Sequence, residues 1–315
     1  MPKVAVTSRL FAALPEMRAA LLAKYPDAKI AERFMRSEDD IIEFLDGYDV
    51  AVIGVEKYSK RVLDALPDLK VLACCSAGVD HLDPALMHER GVRMGWIPGV
   101  NKHAVSELAM CLMLDLMRHA NWANVQMREG TWQAPARGNL LRGRTVGVHG
   151  TGNIGKETIK LLQPFGVTIL GSDRADCSEF YEQYDVTAVS QEELWAESEV
   201  ISIHLPRNST TIGLYSADAI DQLRPGMFLV NTARGSIVDE AALLEKLNDG
   251  SITGAGFDVF HEEPVNNAEL TSHPNFIALP HMGASARESW VAMAEAGMRG
   301  IVENVIPEPG VYPFD

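Results

Sequence analysis

A chain of 315 residues, 47% hydrophobic and 23% charged, has the composition of an ordinary globular protein and the length for two cores. Its formal net charge of −15 argues against a nucleic-acid partner, which normally needs a basic face, although local backbone amides can still hold a small anion. The start, MPKVAVTSRLFAAL, reads as a strand without the regions of a secretory leader, and no apolar stretch is long enough to span a bilayer. A reduced, cytoplasmic protein with no membrane partner is the expectation.

In chain order, strands are predicted at 3–7, 50–55, 71–75 and 92–96, with helical patterns between them, for example at 41–44 and 61–66. Strand and helix alternating at this spacing predict a parallel α/β sheet. Cys74 and Cys75 lie in the apolar run LKVLACCSAG and read as small core residues. With Cys111 and Cys177 they show no metal-ligand spacing, and no Cys/His/Asp cluster with such spacing appears elsewhere, so no metal is expected. After the strand 71–75 comes Ser76-Ala77-Gly78-Val79-Asp80. Small residues there can present backbone N–H groups to a carboxylate. The plainer reading is a strand-to-helix turn capped by Asp80 or Asp83.

A helical pattern at 101–119 is apolar nearly all round. It is therefore expected to be buried between layers, domains or subunits. Further strands are predicted at 145–149, 168–172, 200–204, 227–232, 252–259 and 276–279, enough for a six-stranded doubly wound sheet. A last helix at 286–305 and a Pro-rich end follow.

The strand TVGVH runs into Gly150-Thr-Gly152-Asn153-Ile154-Gly155 and then an amphipathic helix. Gly-x-Gly-x-x-Gly between strand and helix suits a dinucleotide. The first glycine makes the turn, the second lets amides approach a pyrophosphate, and the third lets helix and strand pack closely. The next strand ends at Asp173, where a carboxylate would take the ribose hydroxyls of NAD and repel the 2′-phosphate of NADP. Arg174 beside it leaves some NADP use open.

Ligands of doubly wound sheets bind outside the carboxyl ends of the strands. Three late strands deliver Arg234, Glu263 and His281 to that edge. Singly, each reads as a surface charge, a loop residue or a structural histidine. Together they fit hydride transfer to a ketone. A histidine can protonate the resulting alkoxide, a carboxylate beside it favours the imidazolium, and a guanidinium can clamp a substrate carboxylate and polarise its carbonyl.

The stretches VHGTGNIG, HLPRNSTTIG, NTARGSIVDEAAL, GFDVFHEEP and LPHMGA, in this order, resemble the D-isomer-specific 2-hydroxyacid dehydrogenase family over roughly residues 69–281. The resemblance implies two Rossmann-like or flavodoxin-like domains with doubly wound parallel sheets. A nucleotide domain, 101–285, is inserted into a discontinuous substrate domain of 1–100 plus 286–315. The helix at 102–119 crosses between the two, and the substrate lies in the cleft. The resemblance makes Arg234 the binder of carboxylate and carbonyl, His281 the general acid/base and Glu263 its partner. It places backbone at Asn153 and Ile154 on the pyrophosphate and Asp173 on the adenosine ribose. His204, Leu205 and Pro206 fall on the adenine side, Thr232 and Asp258 on the nicotinamide carboxamide, and Ser76, Ala77 and Gly78 on the substrate carboxylate.

The implied function is NAD-dependent interconversion of a 2-oxo acid and a D-2-hydroxy acid, by a homodimer formed through the nucleotide domain. The apolar helix at 108–117, with Trp122 and Trp132, is a candidate for that interface. A formate-oxidising relation carries an amide in place of the histidine's carboxylate partner, and Glu263 sets it aside. Oxidation of phosphite or reduction of a phosphonate analogue is an alternative. So, in a different class, is an NAD(H)-sensing corepressor-like binding module. Two departures bear on the substrate. Before Pro98 the family often has Asn-Thr and this chain has Trp96-Ile97. After the strand 50–55 come Glu56-Lys57-Tyr58, of which Glu56 facing the substrate would disfavour a second negative charge and Lys57 would favour one.

Overall fold

The computed structural model describes residues 1–132 and 138–311. The chain divides into two compact units, Met1–Asn101 with Ala284–Asp315, and Lys102–Gly283.

The first unit is built on strands β1 (Val4–Val6), β2 (Lys29–Ile30), β3 (Val50–Ile53), β4 (Val71–Cys74) and β5 (Arg93–Gly95), all parallel, in the order β2-β1-β3-β4-β5. The strands VAV, VAVI and VLAC are buried along their whole length. Helices cover both faces of a parallel sheet, so these strands read as continuous apolar runs without alternation. Strand β2 has no counterpart among the predicted strands, because two half-buried residues at an edge carry no pattern. Asp83, not Asp80, caps the helix Pro84–Arg90, accepting the Leu86 N–H at 3.0 Å.

The helix Arg287–Gly300 packs against β4 and β5 and stops short of residue 305. At that end the backbone meets β5 closely: a Cβ on Gly95 would lie 2.2 Å from the Gly300 carbonyl oxygen, so the two segments pack without side chains between them. Beyond Gly300 the chain leaves the helix and Val305 pairs with Met94, whose N–H donates to the Val305 carbonyl at 2.7 Å.

The second unit carries β6 (Thr145–His149), β7 (Thr168–Ser172), β8 (Val186–Ala188), β9 (Val200–Ile203), β10 (Met227–Asn231), β11 (Ile252–Phe257) and β12 (Phe276–Ala278). They form one parallel sheet in the order β12-β11-β10-β9-β6-β7-β8. The sheet thus has seven strands where six were predicted. The extra strand, β8, is a three-residue edge strand with two exposed residues, too short for an apolar run. Both sheets are doubly wound α/β arrangements. The strand order of the larger one reverses between β6 and β9, which opens a ligand crevice at the carboxyl ends of those strands.

The helix Lys102–Arg118 spends its apolar surface inside this unit. It packs on β10, β11 and the helix Asn153–Leu162. Gly254 and Gly256 on β11 make room for it, because a Cβ on Gly256 would already touch Leu112 at 3.1 Å and Leu116 at 3.3 Å. Of residues 108–117, Leu112, Met113, Leu116 and Met117 are core residues, whereas Cys111 is exposed and Leu108 and Leu114 are half-buried. The next helix, Ala120–Arg128, buries none of its residues.

Candidate active site

The turn after β6 has the shape that a phosphate needs. Gly150 has φ +92°, and a Cβ there would lie 2.8 Å from the His204 carbonyl. At Gly155 a Cβ would come within 2.0 Å of the Gly150 carbonyl oxygen, so helix and turn pack backbone to backbone. Gly152 faces open space and N-caps the helix Asn153–Leu162 with no side chain over its end. No side chain caps the N–H groups of that first turn, which includes Asn153 and Ile154, and the helix dipole favours an anion there.

Asp173 follows β7. One of its carboxylate oxygens accepts the Thr151 N–H, and the other accepts the Ala175 N–H at 2.8 Å. Main-chain donors thus fix the carboxylate beside the glycine turn. Thr151 is held in turn, its hydroxyl 2.7 Å from the Tyr181 hydroxyl. His204 follows β9, with Nε2 at 2.9 Å from the Ser202 hydroxyl. Burial lowers its pKa to about 3, which leaves a neutral ring. His149, at the end of β6, is likewise kept neutral by burial, at about 4, and bonds Tyr215 at 2.7 Å. Pro206 is exposed, and its carbonyl accepts the Thr211 hydroxyl at 2.6 Å. Thr232, after β10, has a buried hydroxyl with no hydrogen-bond partner among the described residues. The glycine cradle, the anchored Asp173 and this orphaned hydroxyl fit a bound dinucleotide.

Strands β10, β11 and β12 are adjacent and in register, with Asn231 opposite Phe257 and Phe257 opposite Ala278. The residues that follow them accordingly share one sheet edge. Arg234 is held by Asn231, a fully buried residue absent from the predicted site. The Asn231 side chain accepts the Ala233 N–H and donates to the Arg234 carbonyl, each at 3.0 Å. Gly235 lets the β11 loop close on this turn, since a Cβ there would lie 1.8 Å from the Phe260 carbonyl carbon.

Glu263 and His281 meet, with Oε2 at 2.6 Å from the ring Nδ1. The other oxygen of Glu263 accepts the Phe260 N–H at 2.9 Å. His281 adopts φ +52°, a left-handed conformation uncommon outside glycine. Asp258 secures that conformation, its two oxygens accepting the Met282 and Gly283 N–H groups at 2.7 Å each. Burial raises the Asp258 pKa against the lowering effect of these bonds. Asp258 thus braces the histidine loop, a role that the sequence pattern did not reveal.

In the first unit, Ser76 is buried, and Ala77 and Gly78 are partly exposed just after β4. Tyr58 is 2% exposed and belongs to the core, whereas Lys57 is exposed. Glu56 is half-buried, accepts the Gly54 N–H at 2.8 Å and has its pKa raised by burial. No group of three or more His, Cys, Asp or Glu residues suited to a metal occurs among the described residues. No helix among them is long and apolar enough to cross a membrane.

Residues 110–283 match the family model described as D-isomer specific 2-hydroxyacid dehydrogenase, NAD binding domain. Hydroxypyruvate reductase of Thermotoga maritima is 34% identical over 279 residues, 87% of this chain and 89% of that protein. Human D-3-phosphoglycerate dehydrogenase is 33% identical over 261 residues, 82% of this chain, and the chain spans only 49% of that protein's length. A solved structure from Polaromonas sp., described as an NAD-binding D-isomer specific 2-hydroxyacid dehydrogenase, superposes with a TM-score of 0.87 at 27% identity. The superposition covers 96% of this chain and 95% of that one.

Proposed function

The chain belongs to the D-isomer-specific 2-hydroxyacid dehydrogenases, NAD-dependent oxidoreductases that interconvert a 2-oxo acid and a D-2-hydroxy acid, and we propose that it reduces a short 2-oxo acid carrying a single negative charge. The observation that carries this reading is the Glu263–His281 pair, 2.6 Å apart on the sheet edge that also bears Arg234. The unit Lys102–Gly283 is read as the nucleotide domain and the other as the substrate domain.

The nicotinamide, when bound, supplies or accepts the hydride. Asn153 and Ile154 hold the pyrophosphate at the helix N-terminus, and Asp173 takes the ribose. His204 and Pro206 lie on the adenine side, and Thr232 and Asp258 on the carboxamide side. Arg234 clamps the substrate carboxylate and polarises its carbonyl. The N–H groups of Ser76, Ala77 and Gly78 hold the same carboxylate. His281 delivers the proton to the carbonyl oxygen in reduction and removes it in oxidation, while Glu263 takes Nδ1 and fixes the ring. The half-buried Glu56 carboxylate stands on the same sheet edge as Ser76 and disfavours a second anionic group on the substrate. That favours hydroxypyruvate, the substrate in the name of one relative, over a phosphorylated acid.

The test is NADH oxidation with glyoxylate, hydroxypyruvate, pyruvate, phenylpyruvate, 2-oxoglutarate and phosphonopyruvate, repeated with NADPH. Turnover should be best on a short monoanion and with NADH. A preference for 2-oxoglutarate or phosphonopyruvate would overturn the charge argument. Silence across the panel with NADH still bound would replace the reading with a phosphorus-bearing substrate or a binding module.

A homodimer belongs to the same reading. Val125, Met127 and Trp132 are 42%, 52% and 89% exposed, on or just after a helix that buries nothing. Apolar groups so placed are suited to a second copy of the chain. Light scattering at micromolar concentration should give twice the 34.5 kDa chain mass, and Trp132→Glu with Met127→Glu should shift it toward monomer. A monomeric wild type would reject the dimer.

A further inference from the structure

We propose that Trp96 is a positioning residue for the substrate carboxylate, holding one peptide plane of the loop after β4 so that its N–H is presented to the ligand. The proposal rests on reading Ser76–Gly78 as the carboxylate cradle.

Sheet pairing ends at Cys75, whose N–H donates to the Ile53 carbonyl at 2.9 Å. The next turn closes where the Leu82 N–H donates to the Val79 carbonyl at 2.9 Å. Between them, the N–H groups of Ser76, Ala77, Gly78 and Val79 have no hydrogen-bond partner among the described residues. The Ser76 hydroxyl, on a residue only 6% exposed, has none either. A buried donor left over like the Ser76 hydroxyl is uncommon in folded chains, and beside a run of unbonded N–H groups it marks a place where a ligand's acceptors can complete the bonding.

One acceptor in this loop is taken. The Trp96 indole N–H, from the end of the neighbouring strand β5, donates to the Ala77 carbonyl at 3.0 Å. A peptide unit is planar and trans, so the Ala77 C=O and the Gly78 N–H point in opposite directions. Fixing the carbonyl toward Trp96 therefore aims the Gly78 N–H away from the indole. Glycine at 78 would otherwise let this peptide turn over at small cost, because it tolerates both signs of φ. A turned peptide would set a carbonyl oxygen, not a donor, against the substrate's carboxylate. Indole has a donor and no acceptor, so its bond enforces one orientation only.

The experiment compares wild type with Trp96→Phe, which keeps an aromatic ring and loses the donor, on the best 2-oxo acid of the panel and on its methyl ester. KM for the acid should rise about tenfold, or ~1.4 kcal/mol, with kcat changed less. The ester has no carboxylate, so its kcat/KM should stay within about twofold. Trp96→His restores a ring N–H and should recover part of the loss. NADH affinity and Tm serve as controls for folding. An equal loss on acid and ester, or no loss on either, overturns the proposal and leaves the parent reading standing. A wild-type enzyme silent on every 2-oxo acid sinks both.

Discussion

His281→Ala should lower kcat for 2-oxo acid reduction at least about 10²-fold and leave NADH binding unchanged. The size follows from what is removed. Hydride addition to a carbonyl carbon places negative charge on its oxygen, and without a positioned proton donor that charge must be met by water. The ring is pre-set for the task, because Glu263 takes Nδ1 at 2.6 Å and is itself held by the Phe260 N–H at 2.9 Å. That leaves Nε2 as the working nitrogen. A left-handed residue at 281 costs of order 1 kcal/mol, and the paired bonds from Asp258 to Met282 and Gly283 offset it. NADH binding should survive because the cradle and Asp173 stand on β6 and β7, on the far side of β9 and β10 from β12. The truncated side chain is 52% exposed, so stability should change little. A variant with kcat within about threefold of wild type would remove His281 from the reaction.

What the sequence revealed and what it hid divide along a physical line. The cradle, Asp173 and the three strand-end residues were readable because each follows an apolar run directly. A parallel sheet places all such positions on one edge. The same logic made the long strands readable and the edge strands β2 and β8 not, since two or three residues carry no period. The residues that set the working geometry were harder. Asn231 anchors Arg234, Asp258 braces the His281 loop and Trp96 takes the Ala77 carbonyl, all by side-chain bonds to irregular backbone. Such bonds depend on the path of a loop, which propensity and periodicity do not encode. Tyr58 misled for the opposite reason. It looked like a bulky loop residue near the substrate and is packed in the core behind β3.

Arg234→Ala should reduce kcat/KM for 2-oxo acids by about 10³-fold, with KM rising at least about tenfold and NADH affinity unchanged. A guanidinium offers paired donors to a carboxylate, and on a carbonyl it also stabilises the oxygen that becomes negative during transfer. Both ground-state binding and the chemical step should therefore suffer, unlike the Trp96 variant, whose effect falls mainly on KM. Arg234→Lys separates charge from geometry. A single ammonium keeps the attraction and loses the fork, so it should recover only part of the lost KM and little of the lost kcat. Either variant loses the bond that the Arg234 guanidinium donates to the Ala233 carbonyl at 2.7 Å, but the turn's backbone is also held from Asn231 and by the close approach at Gly235, so the fold should survive. Wild-type kinetics in Arg234→Ala would rule out the clamp. An equal loss on the acid and its methyl ester would confine Arg234 to the carbonyl and leave the carboxylate to the loop at Ser76–Gly78.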